Sequence, residues 1–351
     1  MRVGVDARAL LAGRGVARYT RELLAALADR FAGDEWLALV PGRAAVAPVH
    51  PRVTLVRHRR GGRALFGSAA VLRRPTVAAL VGGADVVWLP APAPVAAGAP
   101  YVLSIHDRSW ERRPRDFSLY ERAWHRLARP RALARDAAAV TAVSHAVARE
   151  LEADWGVRAA VVSPGVTALG AERGGERRAG VTALDAAPPA EPPAAPYLLF
   201  VGPRERRKAH DVLDDAYRRA RARGLDAALV VVGEGNAHVG DRELASLYAG
   251  ALAVVTPSYL EGFGLPPLEA AAHGTPAVVS DLECFAETLG DAALRVPPGD
   301  AEALAGALVR IAGDEPLRAR LGAAARRRAA DYTWERSADA LYALLAEAAG
   351  R

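Results

Sequence analysis

Short apolar runs alternate with longer amphipathic segments through most of this chain. Short apolar runs are typical of buried parallel strands, and apolar residues at every third or fourth position are typical of helices. In the first half the pattern predicts strands at residues 2–6, 36–40, 54–57, 86–89, 101–106, 139–143 and 160–163. It predicts helices at residues 17–31, 119–134 and 145–155. This alternation indicates an α/β fold built on a parallel sheet.

A segment with neither periodicity divides the chain near its middle. Residues 171–196 end in a stretch of alanine and proline, and so many prolines disfavour both helix and strand. We therefore predict an interdomain linker at 171–196, between an N-terminal domain at residues 1–170 and a C-terminal domain at residues 197–333.

The alternation resumes after the linker. It predicts strands at residues 197–201, 228–232, 252–256, 277–280 and 293–296, and helices at residues 210–223, 242–249, 266–273, 301–311 and 316–330. A last helix, within the terminal segment 334–351, has one apolar stripe and must pack against another element; the stripe is Trp334, Ala338, Leu341, Leu345 and Ala348. We predict two Rossmann-like domains facing across a cleft, with ligands beyond the carboxyl ends of the strands.

Charge divides unevenly between the two halves. The chain of 351 residues has a formal net charge of +6, but residues 1–170 carry a net +11 and the remainder a net −5. Of the 46 basic residues, 45 are arginine and only Lys208 is lysine. A compact ammonium in so arginine-rich a chain marks a candidate site.

Cysteine content and apolar segments predict the compartment. The single cysteine, Cys284, excludes an intramolecular disulfide. No apolar stretch has the length of a signal peptide, and the uncharged run at residues 89–105 contains four prolines. We expect a cytoplasmic protein whose basic first domain contacts the inner face of an anionic membrane peripherally. Nucleic acid is disfavoured as a partner because the arginine clusters at residues 57–63 and 326–328 are not interleaved with aromatic residues.

The most informative stretch spans residues 256–274. A strand ends there, a glycine-bearing loop follows, and tandem prolines open a helix where their missing N–H groups cost least. Backbone amides at a helix N-terminus suit phosphate oxygens or a polarised hydroxyl. The predicted amides belong to Gly262, Phe263, Gly264 and Leu265.

Two carboxylates flank these amides. Glu261 precedes the helix and Glu269 is predicted in its first turn, so both can accept hydrogen bonds from the hydroxyls of one sugar ligand. The alternative is that Glu269 complements the helix dipole while Glu261 is solvated.

A cationic loop follows the first strand of the second domain. Residues 202–208 contain three arginines and Lys208, in a domain that is otherwise acidic. We predict that this loop binds a diphosphate; the alternative is a solvated charge run.

The first domain contributes two candidate residues. Gly15 lies between the first strand and first helix, where glycine lets a ligand approach the backbone. The segment lacks the third glycine of a dinucleotide fingerprint, so bound NAD is disfavoured. His106 follows a strand and is predicted to touch ligand. No D-x-D, H-x-x-x-H or C-x-x-C pattern occurs, so we predict no metal site.

Together these motifs resemble those of the family 4 retaining glycosyltransferases of the GT-B fold, over nearly the whole chain. Glu261 to Glu269 matches the E-x7-E motif of that family, and Gly202 to Lys208 matches its G-x4-R-K loop. Residues 15–19, 104–107 and 142–144 support the resemblance.

The resemblance implies roles for the candidate residues. Arg207 and Lys208 would bind the diphosphate of a nucleotide-sugar donor, and Glu269 would hold its ribose hydroxyls. Glu261 would bind hydroxyls of the donor sugar, and the four loop amides would bind the sugar and phosphates. By the same resemblance, Gly15 approaches the diphosphate, His106 touches the transferred sugar, and the terminal helix crosses back to the first domain.

The implied reaction is retaining transfer of a hexose, of mannose or glucose type, to a glycan, lipid-linked or small-molecule acceptor, as in polysaccharide biosynthesis. It would proceed by front-face attack without metal or cofactor, with Glu261, His106, Arg207 and Lys208 as the catalytic residues. A covalent role for Glu261 is less favoured, because hydroxyl binding explains its place equally well.

Three departures from the family pattern are present. Ala209 replaces the usual asparagine after the R-K pair, Ser163 and Pro164 precede Gly165 where P-N-G is usual, and residues 233–241 are shorter than usual. By the resemblance, this shortened part would contact the nucleotide base, so the preferred base of the donor is not predicted. Two alternatives therefore stay open: a GT-B nucleotide-sugar epimerase or hydrolase, and a non-catalytic binder of sugars or polyanions.

Overall fold

The computed structural model describes residues 1–11, 15–42, 46–58, 72–166, 195–233 and 239–350. The chain forms two compact units, Met1–Gly165 with Thr333–Arg351, and Val166–Tyr332. Of the predicted linker, residues 171–194 lie outside the described residues.

The first unit is built on a parallel seven-stranded sheet in the order β3-β2-β1-β4-β5-β6-β7. Its central strand β4 is buried on both faces, with the consecutive residues Val86, Val87, Trp88 and Leu89 fully inaccessible, which explains the uninterrupted apolar run. The strands are β1 (Arg2–Asp6), β2 (Glu35–Pro41), β3 (Val53–His58), β4 (Val86–Leu89), β5 (Tyr101–Ile105), β6 (Ala139–Ala142) and β7 (Ala160–Val161). The helices are α1 (Gly15–Arg30), α2 (Val77–Leu80), α3 (Ser109–Arg112), α4 (Leu119–Ala128), α5 (Pro130–Asp136), α6 (His145–Trp155) and the terminal α13 (Trp334–Ala348).

The terminal helix α13 packs against α1, as the apolar stripe predicted. Arg30 of α1 donates to both oxygens of Asp339, at 2.6 and 2.8 Å. The rings of Phe31 and Tyr342 stack with their centroids 3.5 Å apart. The helix starts against Gly165, where a Cβ would lie 2.2 Å from the Trp334 nitrogen. Only glycine fits at this close approach.

The second unit has a parallel five-stranded sheet in the order β12-β11-β10-β8-β9. Its strands are β8 (Tyr197–Val201), β9 (Ala228–Val232), β10 (Ala253–Thr256), β11 (Ala277–Ser280) and β12 (Ala293–Val296). Its helices are α7 (His210–Ala222), α8 (Asp241–Gly250), α9 (Leu265–Ala272), α10 (Glu283–Thr288), α11 (Ala301–Gly313) and α12 (Glu315–Ala329). A core centred on β8, α7 and α11 joins sheet and helices through residues such as Phe200, Leu213 and Leu308.

One predicted element is wrong. Residues 119–134 form two helices, because Arg129 adopts a left-handed conformation (φ 49°) between α4 and α5. The cause is Pro130, since a residue before proline is sterically disfavoured in the right-handed helical region. Otherwise the two wholly parallel sheets and the α13 contact confirm the predicted α/β fold with two Rossmann-like sheets. Within the described ranges, no helix is both long and apolar enough to cross a membrane.

Candidate donor-binding site

The predicted site residues of the second unit lie where its sheet reverses its winding direction. Strands β8 and β10 are hydrogen-bonded neighbours, with Leu198 opposite Ala253, although β9 lies between them in sequence. In doubly wound sheets, ligands bind beyond the carboxyl ends of the two strands at such a switch point. The loops that leave β8 and β10 there are residues 202–209 and 257–264.

The loop after β8 contains a short turn that leads into α7. Arg206–Lys208 forms a 3-10 turn, and Ala209 then adopts a left-handed conformation (φ 53°) before α7 begins. Asparagine and glycine adopt that conformation more readily than alanine does, which gives a physical reason for asparagine at this position of the family motif. The Tyr259 amide donates to the Arg207 carbonyl at 2.8 Å and joins the two loops.

A buried ion pair connects the loops through their side chains. The Lys208 ammonium donates to Glu261 Oε1 at 2.5 Å, and the side chains of both residues are 9% exposed. The Ser258 hydroxyl donates to the same carboxylate oxygen at 2.7 Å. The Arg207 Nη1 atom lies 3.5 Å from Glu261 Oε2. The Arg207 Nε–H donates to Glu205 Oε2 at 2.8 Å. The structure thus brings together Arg207, Lys208 and Glu261, which sequence reasoning placed in one site.

The charge state of Glu261 follows from these partners. Burial raises the pKa of Glu261, but the charges of Lys208 and Arg207 and the hydrogen bonds from Lys208 and Ser258 outweigh it, so the pKa falls below its usual value. The carboxylate is therefore ionised at neutral pH and is a strong acceptor for hydroxyl groups.

The N-terminal end of α9 lies in the same loop. Gly264 caps the helix with φ 91°, and a Cβ there would lie 2.3 Å from the Phe285 ring, so both conformation and space require glycine. The side chain of Phe263 is 5% exposed and packs edge-on against Tyr332. Any ligand contact by Phe263 is therefore made by its backbone. In the first turn of α9, Pro266 and Pro267 have no N–H and the Leu268 amide donates to the Gly264 carbonyl at 3.4 Å, so Leu265 supplies the N–H that this turn can offer to a ligand.

Glu269 has its own buried environment. It is the fifth residue of α9, one position later than in the predicted helix and just beyond the first turn, and it is 5% exposed. The Tyr248 hydroxyl donates to Glu269 Oε2 at 2.8 Å, and Tyr248 is itself fully buried. Sequence reasoning missed both Tyr248 and Ser258. Ser258 had a signal, because it lies three residues before Glu261, whereas Tyr248 is on a different helix and had none.

The remaining predicted residues belong to the first unit. His106 follows β5; its Nε2 is 2.8 Å from the Pro90 carbonyl, and its ring meets the edge of Tyr19 at 4.6 Å. Burial lowers the pKa of His106, so the imidazole is neutral at neutral pH. Gly15 is the first residue of α1, and a Cβ there would meet nothing within 4 Å.

The shortened stretch at 233–241 is only partly described, because residues 234–238 lie outside the described residues. In the part of the chain that the structure describes, no three histidine, cysteine or carboxylate side chains are grouped closely enough to hold a metal ion.

Two family models match the chain. Residues 13–168 match the model described as Glycosyltransferase Family 4, and residues 195–314 match the model described as Glycosyl transferases group 1. The second match includes Arg207, Lys208, Glu261 and Glu269.

Two relatives are similar in sequence to part of this chain, and a solved structure is similar in fold to nearly all of it. The O-antigen chain mannosyltransferase B of Escherichia coli is 38% identical over 98 residues, which is 28% of this chain and 26% of the relative. A D-inositol 3-phosphate glycosyltransferase of Saccharomonospora viridis is 39% identical over 111 residues, 31% of this chain and 26% of the relative. These matches thus span about a quarter of each relative. Among solved structures, a sucrose-phosphate synthase from Thermosynechococcus elongatus superposes with a TM-score of 0.71 at 19% identity, covering 99% of this chain and 98% of that one.

Proposed function

Because the chain belongs to the group 1 and family 4 glycosyltransferases, we propose that it transfers a hexose from a nucleoside diphosphate sugar to an acceptor with retention of configuration. Family membership confirms the resemblance that the motifs indicated. The observation that carries the proposal is the pairing of Arg207 and Lys208 with Glu261 at the switch point of the second sheet.

The sugar and acceptor classes are proposed from relatives. The names of two similar proteins specify a mannosyltransferase and an inositol phosphate glycosyltransferase. We propose a mannose- or glucose-type hexose, and a glycan, lipid-linked or small-molecule acceptor. Peripheral contact of the basic first domain with an anionic membrane belongs to the same proposal.

The proposed chemistry relies on groups at the switch point. Cleavage of the donor places new negative charge on the departing diphosphate, which Arg207, Lys208 and the backbone amides of Gly262 to Leu265 would stabilise. Because Glu261 is ionised and buried, it would accept hydrogen bonds from donor-sugar hydroxyls and favour positive charge developing on the sugar. In front-face attack the acceptor oxygen bonds to the anomeric carbon while the bond to the diphosphate breaks. The departing phosphate then takes the acceptor proton.

The roles of the other site residues are proposals as well. Glu269, held by Tyr248, would bind the ribose hydroxyls of the donor, and Gly15 would leave room for the diphosphate. His106 would contact the transferred sugar as a neutral imidazole, by hydrogen bonding rather than by charge.

A donor screen tests the function. We expect calorimetry with UDP-, GDP-, ADP- and TDP-sugars to reveal one preferred base, and proton NMR of the product to show the same anomeric configuration as the donor. An inverted product would contradict the mechanism. Donor turnover that is equally fast without any acceptor would instead identify an epimerase or hydrolase.

A further inference from the structure

Helix α4 of the first unit exposes apolar side chains on its outer face. Leu119 is 80% exposed, Tyr120 57% and Leu127 41%, and Ala123 is also exposed. Positions 119, 123 and 127 are four residues apart and so form one stripe along the helix, with Tyr120 beside it. A contiguous apolar stripe of this kind on a surface helix marks an interaction site more often than scattered exposed leucines do.

The opposite face of α4 holds the helix in place. The His125 ring stacks on Trp110 with centroids 4.8 Å apart and meets the edge of Phe117 at 5.8 Å. Ser118 and Glu121 form a capping box at the N-terminus, which fixes where the helix begins. These contacts stabilise α4 within the first unit before any partner binds. They also leave the apolar stripe facing outward.

Arginines flank the stripe. Arg122 and Arg126 are exposed on α4, one turn from each other and on the same side of Leu119 in helical projection. Exposed Arg115 and Arg129 lie just beyond the two helix ends. Among the described residues, neither Arg122 nor Arg126 has an ion-pair partner. The only acidic residue of the helix, Glu121, serves the cap.

We propose that this face, Leu119, Tyr120, Ala123 and Leu127 with Arg122 and Arg126, docks on the surface of an anionic lipid bilayer. Apolar side chains beside arginines suit the boundary between headgroups and acyl chains, where each kind of group finds its preferred surroundings. A water-soluble acidic partner would not require the leucines, and an apolar protein partner would not require the arginines. This face is the surface that would make the membrane contact of the proposed function. Docking through it does not require the transfer reaction.

Vesicle sedimentation tests the proposal without donor or acceptor. We expect the full chain to sediment with phosphatidylglycerol-containing vesicles at low salt and to bind neutral phosphatidylcholine vesicles much more weakly. Arg122→Gln with Arg126→Gln should weaken partition about 25-fold, since each basic residue near an anionic surface contributes about fivefold. Leu119→Ser with Leu127→Ser should weaken it by at least about tenfold, because burial of the leucine side chains is lost.

Matched controls have the same chemistry elsewhere on the surface. Leu72→Ser alters another exposed leucine of the first unit, and Arg320→Gln with Arg327→Gln removes two exposed arginines of α12. Both should bind like wild type, and circular dichroism should show unchanged helix content in every variant. Equal partition of the α4 variants and wild type would overturn the proposal. So would a dimer that the leucine variants dissociate while vesicles leave wild type in the supernatant. Failure here would leave the donor screen unaffected.

Discussion

Each unit holds one buried cation paired with carboxylates, and the two cations differ in how many hydrogen-bond acceptors the protein supplies to them. In the first unit, Arg108 is 4% exposed and donates to Glu111 from Nε and Nη2, at 3.1 and 2.7 Å. Its Nη1 donates to Asp154 and to the Glu150 carbonyl. All three guanidinium nitrogens therefore have acceptors within the protein.

In the second unit, the buried cation has fewer hydrogen-bond acceptors among the described residues. Lys208 is 7% exposed, and among the described residues its ammonium makes one hydrogen bond, to Glu261. A lysine ammonium has three N–H donors, so two have no acceptor among the described residues and would be available to the proposed diphosphate. Burial and ion pairing are common to both clusters. We therefore propose that the remaining hydrogen-bonding capacity of the cation separates a binding cluster from a structural one.

The largest predicted effect is on Lys208. Lys208→Ala should lower the rate of transfer about 10²- to 10³-fold, because a charge that stabilises the departing diphosphate is lost. Calorimetry should show weaker nucleotide-sugar binding as well. Arg218→Ala, which removes an exposed arginine of α7, should leave both quantities unchanged.

The Lys208 variant leaves Glu261 buried without its main partner, so a second variant keeps the test independent of folding. Lys208→Met with Glu261→Gln removes both charges, a replacement that buried ion pairs often tolerate. This double variant should fold and still fail to bind donor. Wild-type donor affinity in the double variant would show that the Lys208 cluster, like the Arg108 cluster, has only a structural role.

The Arg108 cluster should respond in the opposite way. Arg108→Ala should lower the free energy of unfolding by about 2 kcal/mol, because the hydrogen bonds of a buried guanidinium to charged groups are lost. Donor affinity of the folded fraction should stay at the wild-type value. Denaturant titration and calorimetry on the same preparation separate the two quantities. A loss of affinity without a loss of stability would show that Arg108 serves binding.

Most of the fold could be predicted from the sequence, because strands buried on both faces leave uninterrupted apolar runs. The break at Arg129 was missed although Pro130 signals it, because the apolar periodicity continues across the proline. The short helices α2, α3 and α10 were missed for another reason. Four to six residues carry too little periodicity to be recognised.

Sequence patterns marked residues that the structure brings into contact, but they did not predict the contacts themselves. Glycine, proline and charge patterns marked Lys208 and Glu261 separately, but their contact joins residues 53 positions apart. It depends on β10 lying beside β8, and sheet order is not readable from local sequence. The Tyr248 contact to Glu269 depends in the same way on how α8 packs.

The smallest predicted effect concerns Tyr248. Its neutral hydroxyl holds the Glu269 carboxylate, where the other two clusters use a cation. Tyr248→Phe removes only the hydroxyl that donates to Glu269 at 2.8 Å. It should weaken donor binding about fivefold, in line with about 1 kcal/mol for one hydrogen bond. The effect should appear in KM more than in kcat, because Tyr248 positions Glu269 and touches no reacting atom.

A thermodynamic cycle distinguishes positioning from a structural role. Wild type should bind the ribonucleoside diphosphate more tightly than its 2′-deoxy and 3′-deoxy analogues, and Tyr248→Phe should reduce that discrimination while leaving deoxy-analogue affinity nearly unchanged. Equal weakening for all three ligands would indicate general loosening and contradict the positioning role. Glu269→Gln serves as the reference variant. If it leaves discrimination intact, the assignment of Glu269 to the ribose fails; if it abolishes discrimination while Tyr248→Phe does not, only the role of Tyr248 fails.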